Sequence, residues 1–169
     1  MYTYKKLLQS QVTDELFEQI CFVENSSQEG YSTEVLKEIW LTGDKNDNFV
    51  CLDNGKIVAH ISFNPFSNRR NGSIFMVNLT VLPEYRKQGV AQNLILEACK
   101  YYIKNNQTLP MSTSVDKINT PAVNLYQKVG YKIKEPICEL DKDDEQYILE
   151  GSLKTIKQKI ESFDKTFNM

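Results

Sequence analysis

A chain of 169 residues is long enough for one domain with a real buried core. Its 41% apolar and 25% charged residues are ordinary for a soluble globular protein, and a formal net charge of -2 excludes a general pull toward nucleic acid or anionic membrane. The four cysteines, Cys21, Cys51, Cys99 and Cys138, form no C-x-x-C pair, so they read as small buried apolar residues in a reducing compartment. No apolar stretch suits a signal peptide or a membrane span, so the cytoplasm is the expected location. No repeat or linker interrupts the chain, and 1–169 reads as a single domain.

In chain order, residues 2–8 read as a first strand. Leu16, Phe17, Ile20 and Val23 follow helical spacing after a Thr13 cap. A short helix is expected from near Ser32, carrying Val35, Leu36, Ile39 and Trp40. Asn54-Gly55 stands between the apolar runs Phe49–Leu52 and Ile57–Phe63 and predicts a hairpin. Pro65 to Gly72 reads as a polar loop that includes Arg69 and Arg70, and Ser73 to Leu82 as a long strand. Val90, Ala91, Leu94, Ile95, Ala98, Tyr102 and Ile103 then line one face of a helix. Pro110 to Val115 is strand-like. Thr120 reads as the cap of another helix with Pro121 at its first position, and Gly130 closes it. Tyr131–Ile133 and Gln146–Leu149 read as closing strands. A terminal amphipathic helix at about 152–167 carries Leu153, Ile156, Ile160, Phe163 and Phe167. Its stripe covers either the domain or a second subunit, in which case the chain is a homodimer. The class is α/β or α+β.

Two segments carry chemistry. The first is Val81-Leu-Pro-Glu-Tyr-Arg-Lys-Gln-Gly-Val-Ala-Gln92, an R-x-x-G-x-A turn (Arg86, Gly89, Ala91) between a strand and a helix. Such a turn lets several backbone N–H groups converge on one anion, and the helix N-terminus adds partial positive charge. A pyrophosphate is the ligand that it suits. The second segment is Asn119-Thr-Pro-Ala-Val-Asn-Leu-Tyr-Gln-Lys-Val-Gly-Tyr131, an N-x-x-A-x-x-L-Y-x-x-x-G-Y pattern about thirty residues later. Together they resemble the GNAT superfamily of N-acetyltransferases, well over roughly Lys56 to Tyr131 and only by element order before that.

The resemblance implies a mixed, mostly antiparallel central sheet flanked by helices, with two strands splayed at the cofactor site. It implies acetyl-CoA as acyl donor. The backbone of Lys87, Gln88, Gly89, Val90, Ala91 and Gln92 would hold the pyrophosphate, and Arg86 would add charge or point to solvent. Leu79 and Val81 would pair with the pantetheine arm as if it were an added strand. Asn119 would contact the CoA arm; its plain alternative is a helix cap. Tyr126 would protonate the leaving thiolate as general acid; its plain alternative is a core residue.

One part of the family pattern is missing. Asn78 stands where many relatives carry a glutamate, and an amide is no general base at neutral pH. Water, or a carboxylate from elsewhere, would take the proton. Glu84 in the turn reads as solvated. Glu24, Glu29 and Glu34 with Tyr31 suit a cationic amine, or form an exposed acidic loop. His60 reads as a strand residue with a satisfied partner, a functional role being its alternative. Tyr147 and Glu150 are candidate acceptor contacts. Arg69, Arg70, Lys117 and Lys128 read mostly as surface, with the 3′-phosphate of CoA as a partner for one or two. No cysteine sits in a nucleophile motif and no ligand cluster implies a metal. The expected activity is acetyl transfer from acetyl-CoA to a primary amine of a small molecule or peptide, by direct attack in a ternary complex. The rival is a catalytically silent acetyl-CoA-binding module.

Overall fold

The Asn54-Gly55 hairpin forms as its residues predict. Both residues take positive φ, 49° and 83°, as a two-residue type I′ turn requires. The turn joins β2 (Asp47–Asp53) to β3 (Lys56–Ser67) with Asp53 opposite Lys56, and the register shifts between Cys51 and Leu52. In this computed structural model the described residues are 1–26, 34, 46–67, 72–135 and 145–167. The helix expected from Ser32 to Trp40, with Glu29 and Tyr31, lies outside them apart from Glu34, and so do Arg69, Arg70 and Cys138.

The remaining elements are β1 (Tyr2–Leu7), α1 (Asp14–Asn25), β4 (Ser73–Val81), α2 (Val90–Lys104), β5 (Met111–Asp116), α3 (Thr120–Lys128), β6 (Lys132–Lys134), β7 (Gln146–Gly151) and α4 (Leu153–Phe167). The strands form one seven-stranded sheet in the order β1-β2-β3-β4-β5-β7-β6. β1 with β2, β2 with β3, β5 with β7 and β6 with β7 are antiparallel; β4 with β5 is parallel. The β4–β5 ladder consists of Ile74 opposite Met111 and Phe75 opposite Ser112. One expectation is corrected. The polar loop predicted from Pro65 is strand as far as Ser67. The last β2 partner on β3 is Phe63, opposite Asp47, so Pro65 lies past the end of that ladder, where its missing N–H costs no bond to β2.

The chain divides into two compact units, Met1–Asn64 with Val77–Glu97, and Pro65–Met76 with Ala98–Met169. In the first, Thr13 caps α1 by accepting the Leu16 N–H at 3.2 Å. α1 buries Phe17, Ile20, Cys21 and Val23, and the Gln19 amide oxygen accepts the Ile57 N–H at 2.9 Å. Phe49 and Phe63 meet edge to face at 6.1 Å.

In the second unit, Tyr102, Met111, Val129, Leu149, Ile156 and Ile160 are fully buried. The Ser152 hydroxyl caps α4 by accepting the Thr155 N–H at 3.1 Å. Leu153, Ile156 and Ile160 on α4 are buried within this chain, so that part of the stripe covers the chain's own core. The side chains of Phe163 and Phe167 lie outside the described residues. Among the described residues no helix is long and apolar enough to cross a membrane.

Ile156, with none of its surface exposed, is the clearest test of the α4 seam. Ile156→Ala is expected to destabilise the protein by roughly 2–5 kcal/mol, read from the denaturant midpoint at unchanged m-value.

Candidate active site

The turn after β4 owes its shape to two left-handed residues. Pro83–Tyr85 forms a single 3-10 turn, Arg86 is extended, and then Lys87 and Gly89 take φ of 61° and 78°. A lysine in that region is uncommon, whereas glycine enters it without strain. The first backbone bond of α2 runs from the Asn93 N–H to the Gly89 carbonyl at 3.0 Å. The N–H groups of Val90, Ala91 and Gln92 precede that bond and are the orphan donors of the helix N-terminus. With Lys87, Gln88 and Gly89 they make the concave, donor-rich turn that the R-x-x-G-x-A spacing predicts, and its chemistry fits a pyrophosphate.

Side chains brace this turn. Arg86 Nε–H donates to the Val81 carbonyl at 2.9 Å, so Arg86 clamps the end of β4 rather than only pointing to solvent. Gln88 donates from Nε2 to the Glu84 carbonyl at 2.8 Å and accepts the Tyr2 hydroxyl at 2.6 Å. Tyr85 meets Tyr2 edge to face at 6.2 Å. Leu79 and Val81 are half-buried, and Glu84 is exposed, as its solvated reading expects.

In the second unit, the structure explains why Gly130 and Tyr131 follow Tyr126. Gly130 takes φ of 106° just past α3. Its N–H donates to the Gln127 carbonyl at 3.1 Å, and the Tyr131 N–H reaches back to the Tyr126 carbonyl at 2.9 Å. This is a Schellman motif, and its customary apolar contact is the Tyr126–Tyr131 ring pair, 5.5 Å between centroids. The helix end thereby fixes Tyr126. Burial pushes the Tyr126 phenol up to about 12, against an opposing hydrogen bond shared with the Thr113 hydroxyl. Tyr126 is 7% exposed, so it is a core residue, and burial keeps its phenol protonated at neutral pH.

The cap expected at Thr120 is corrected: Asn119 is the N-cap of α3, its Oδ1 accepting the Ala122 N–H at 3.3 Å, Thr120 is already helical, and Asn119 is exposed. Lys117 lies over the Tyr147 ring at 5.3 Å, and Glu150 faces Lys134 at 4.0 Å. Lys128 is exposed on the last turn of α3. Burial pushes the thiols of Cys51 and Cys99 up, Cys99 to about 12, which suits inert core thiols.

The largest departure from the sequence reading concerns Glu24. It is not part of an exposed acidic loop. It completes the stripe Phe17, Ile20, Cys21, Glu24 on α1. Its Oε1 accepts the Asn78 Nδ2–H at 2.7 Å and lies 2.5 Å from His60 Nδ1. His60 Nε2 faces Asn48 Oδ1 at 3.0 Å, and Asn48 is oriented by donating its Nδ2–H to the Asn46 carbonyl at 3.2 Å. Thr80 donates to Asn78 Oδ1 at 3.2 Å. His60 is thus the strand residue with a satisfied partner. Burial pushes the Glu24 carboxyl up, but the His60 hydrogen bond and charge, with the Asn78 amide, hold it below its ordinary value of 4.5. A signal for the cluster was present: polar residues at core-facing positions of α1 (Glu24), β2 (Asn48), β3 (His60) and β4 (Asn78). Among the described residues no group of three or more His, Cys, Asp or Glu is arranged to hold a metal.

The profile of the acetyltransferase (GNAT) family matches residues 12–131. The chain belongs to that family. Solved structures of this GNAT fold include the ribosomal-protein-S18-alanine N-acetyltransferase from Escherichia coli, at 18% identity and TM-score 0.70, covering 90% of this chain and 94% of that one. The PaiA N-acetyltransferase from Thermoplasma acidophilum in complex with coenzyme A gives 20% and 0.69, covering 90% and 99%. Mutant forms of the spermidine/spermine N-acetyltransferase SpeG from Vibrio cholerae give 19% and 0.65, covering 94% and 98%. A comparison with curated proteins gives no match. At these identities the structural likeness carries the GNAT fold, and the profile carries the family.

Two outcomes are expected. A Cβ on Gly89 would meet only Asn93 Nδ2, at 3.7 Å, so Gly89→Ala should cost about 1–2 kcal/mol of stability through its φ rather than through crowding. Thermal melts of Gly89→Ala and Gly89→Asn check this, asparagine tolerating the left-handed region better. Glu24 has a lowered folded pKa, so its stabilisation is complete above 4.5 and is lost as the pH falls through the lowered value. Glu24→Gln should therefore flatten the acid side of the stability profile below pH 4.5, read from denaturant midpoints.

Proposed function

We propose that this GNAT protein transfers an acetyl group from acetyl-CoA to a primary amine of a small molecule or peptide, by direct attack in a ternary complex. The observation that carries the reading is the Lys87–Gln92 turn, with left-handed residues at Lys87 and Gly89 and uncommitted donors at the start of α2. Family membership and the coenzyme A bound to the PaiA enzyme support it. Acetyl-CoA supplies the acyl group as an activated thioester.

The chain's own residues divide the work. Backbone N–H groups from Lys87 to Gln92 hold the two phosphates, and Arg86 fixes the strand end beside them while adding positive charge. Leu79 and Val81 offer backbone groups to the pantetheine arm, at the point where the family splays two strands. Backbone N–H groups at the splay polarise the thioester carbonyl. The Asn119 amide contacts the CoA arm while its oxygen caps α3. Tyr126, held protonated by burial, gives its proton to the leaving sulfur.

The acceptor class rests on the same chemistry. The names of similar enzymes span an alanine of ribosomal protein S18 and the polyamines spermidine and spermine. One GNAT scaffold serves both, so the acceptor is an amine of either kind. The free, buried thiols of Cys21, Cys51 and Cys99 suit the reducing cytoplasm. A second reading, a catalytically silent acetyl-CoA-binding module, draws on Asn78; the ionised Glu24 beside that amide weighs against it.

Acetyl-CoA offered with a panel of polyamines, amino acids and N-terminal peptides should yield free thiol at a rate that depends on the amine. Calorimetry that detects no acetyl-CoA binding refutes the proposal, and binding without turnover on any amine selects the silent module. Tyr126→Phe should lower kcat by about a hundredfold or more while leaving the acetyl-CoA Kd within about twofold.

A further inference from the structure

We propose that Glu24 is the catalytic base of this transfer, taking the proton that the acceptor amine sheds, with His60 and Asn78 as its positioning residues. The inference rests on the acetyltransferase reading above and adds the group that Asn78 cannot supply.

The chemistry sets the requirement. The nitrogen lone pair forms the C–N bond, the carbonyl π pair moves to oxygen, and the nitrogen becomes positively charged and acidic. Its N–H proton passes to the Glu24 carboxylate. The oxygen pair then returns, the C–S bond breaks, and sulfur leaves with its electron pair and takes a proton from Tyr126. Exchange with water returns the proton from Glu24 to the medium and restores the Tyr126 phenol. One proton leaves the amine and one reaches sulfur, so the balance closes without any other reactant.

The geometry selects the residue. Asn78 Nδ2 holds the Glu24 carboxylate at 2.7 Å, one residue from Leu79 in the strand proposed to meet the pantetheine arm. α1 thus carries to β4 the charge that β4 itself lacks. The Glu24 side chain is 16% exposed and that of His60 is 1% exposed. A proton can therefore reach the partly exposed carboxylate, while its imidazole partner is buried. Both ring nitrogens of His60 face oxygen, Glu24 Oε1 and Asn48 Oδ1, an arrangement that an imidazolium satisfies with two N–H donors. Among the described residues the titratable group facing Glu24 is His60 on β3; Asn48 on β2 and Asn78 and Thr80 on β4 are neutral. A carboxylate so held stays ionised, ready to receive a proton from a nitrogen made acidic by attack.

The test measures thiol release and calorimetric acetyl-CoA affinity on the full chain. Glu24→Gln keeps the size and one oxygen and should lose about a hundredfold in kcat, with Kd within about twofold. Glu24→Gln combined with Asn78→Glu moves the carboxylate across a 2.7 Å contact and should recover at least about tenfold of that loss. His60→Gln removes the hydrogen bond and electrostatic contact that lower the Glu24 pKa, so the acidic limb of kcat should move to higher pH. A uniform fall at every pH would make His60 merely structural and overturn its assignment. Wild-type kcat in Glu24→Gln, with chemistry rate-limiting, overturns the proposal, and so does a double variant that folds, binds acetyl-CoA and recovers nothing. If Glu24→Gln does not fold, Glu24→Asp keeps the charge but withdraws it by one methylene. A lowered kcat then supports the base, and an unchanged one overturns it. A wild-type chain that binds no acetyl-CoA removes the acetyltransferase reading itself; an active wild type with an indifferent Glu24 removes only this assignment.

Discussion

A carboxylate withdrawn from water must be compensated by charge and hydrogen bonds, and in this protein that constraint organises the first unit. Glu24 is answered by an imidazole from β3 and an amide from β4, and the imidazole in turn by an amide from β2. Removing any one member leaves a buried polar group without its partner, which costs more than the bond itself contributes. α1, β2, β3 and β4 are therefore held together at one point by more than apolar burial. That point adjoins the strand that runs into the Lys87–Gln92 turn. The rigidity of the turn and the polarity behind the strand have a common support.

The second unit solves a different problem with equal economy. The Asn119-to-Tyr131 segment is a helix with both ends specified: asparagine and proline at its start, glycine and tyrosine at its finish. Its terminator is built on the Tyr126 carbonyl, and the terminator's apolar contact is the Tyr126 ring. A residue suited to proton donation is thus fixed by local backbone chemistry and not only by distant packing. Burial raises its pKa in the same stroke, since removal from water disfavours the phenolate.

Local chemistry was readable from the sequence and long-range pairing was not. Thr13, Asn54-Gly55, Gly89, Pro121 and Gly130 each act within a few residues of themselves, through caps, helix starts and positive φ, and each does what its type predicts, whereas the cap expected at Thr120 falls to Asn119. The meeting of Glu24 with Asn78 spans 54 positions and that of Glu24 with His60 spans 36, and both depend on strand register and helix placement that no local pattern encodes. Pro65 misled for a related reason: proline interrupts a ladder only where a partner strand is present, and β2 had already ended. Asn119 and Tyr126 each carry a structural duty that the residue type alone left as an alternative.

The Gln88 strut has a consequence of its own. Its side chain ties the turn before α2 to the Glu84 carbonyl on one side and to the Tyr2 hydroxyl on the other. The loop's conformational entropy is thereby spent during folding, before any ligand arrives, which is how preorganisation raises affinity. The second residue of the chain is a structural member of that loop. A purification tag fused at Met1 would be attached one residue from the strut, whereas a tag at the opposite terminus would follow α4. The end chosen for a handle is then a variable of the order of that loop, and not only of convenience.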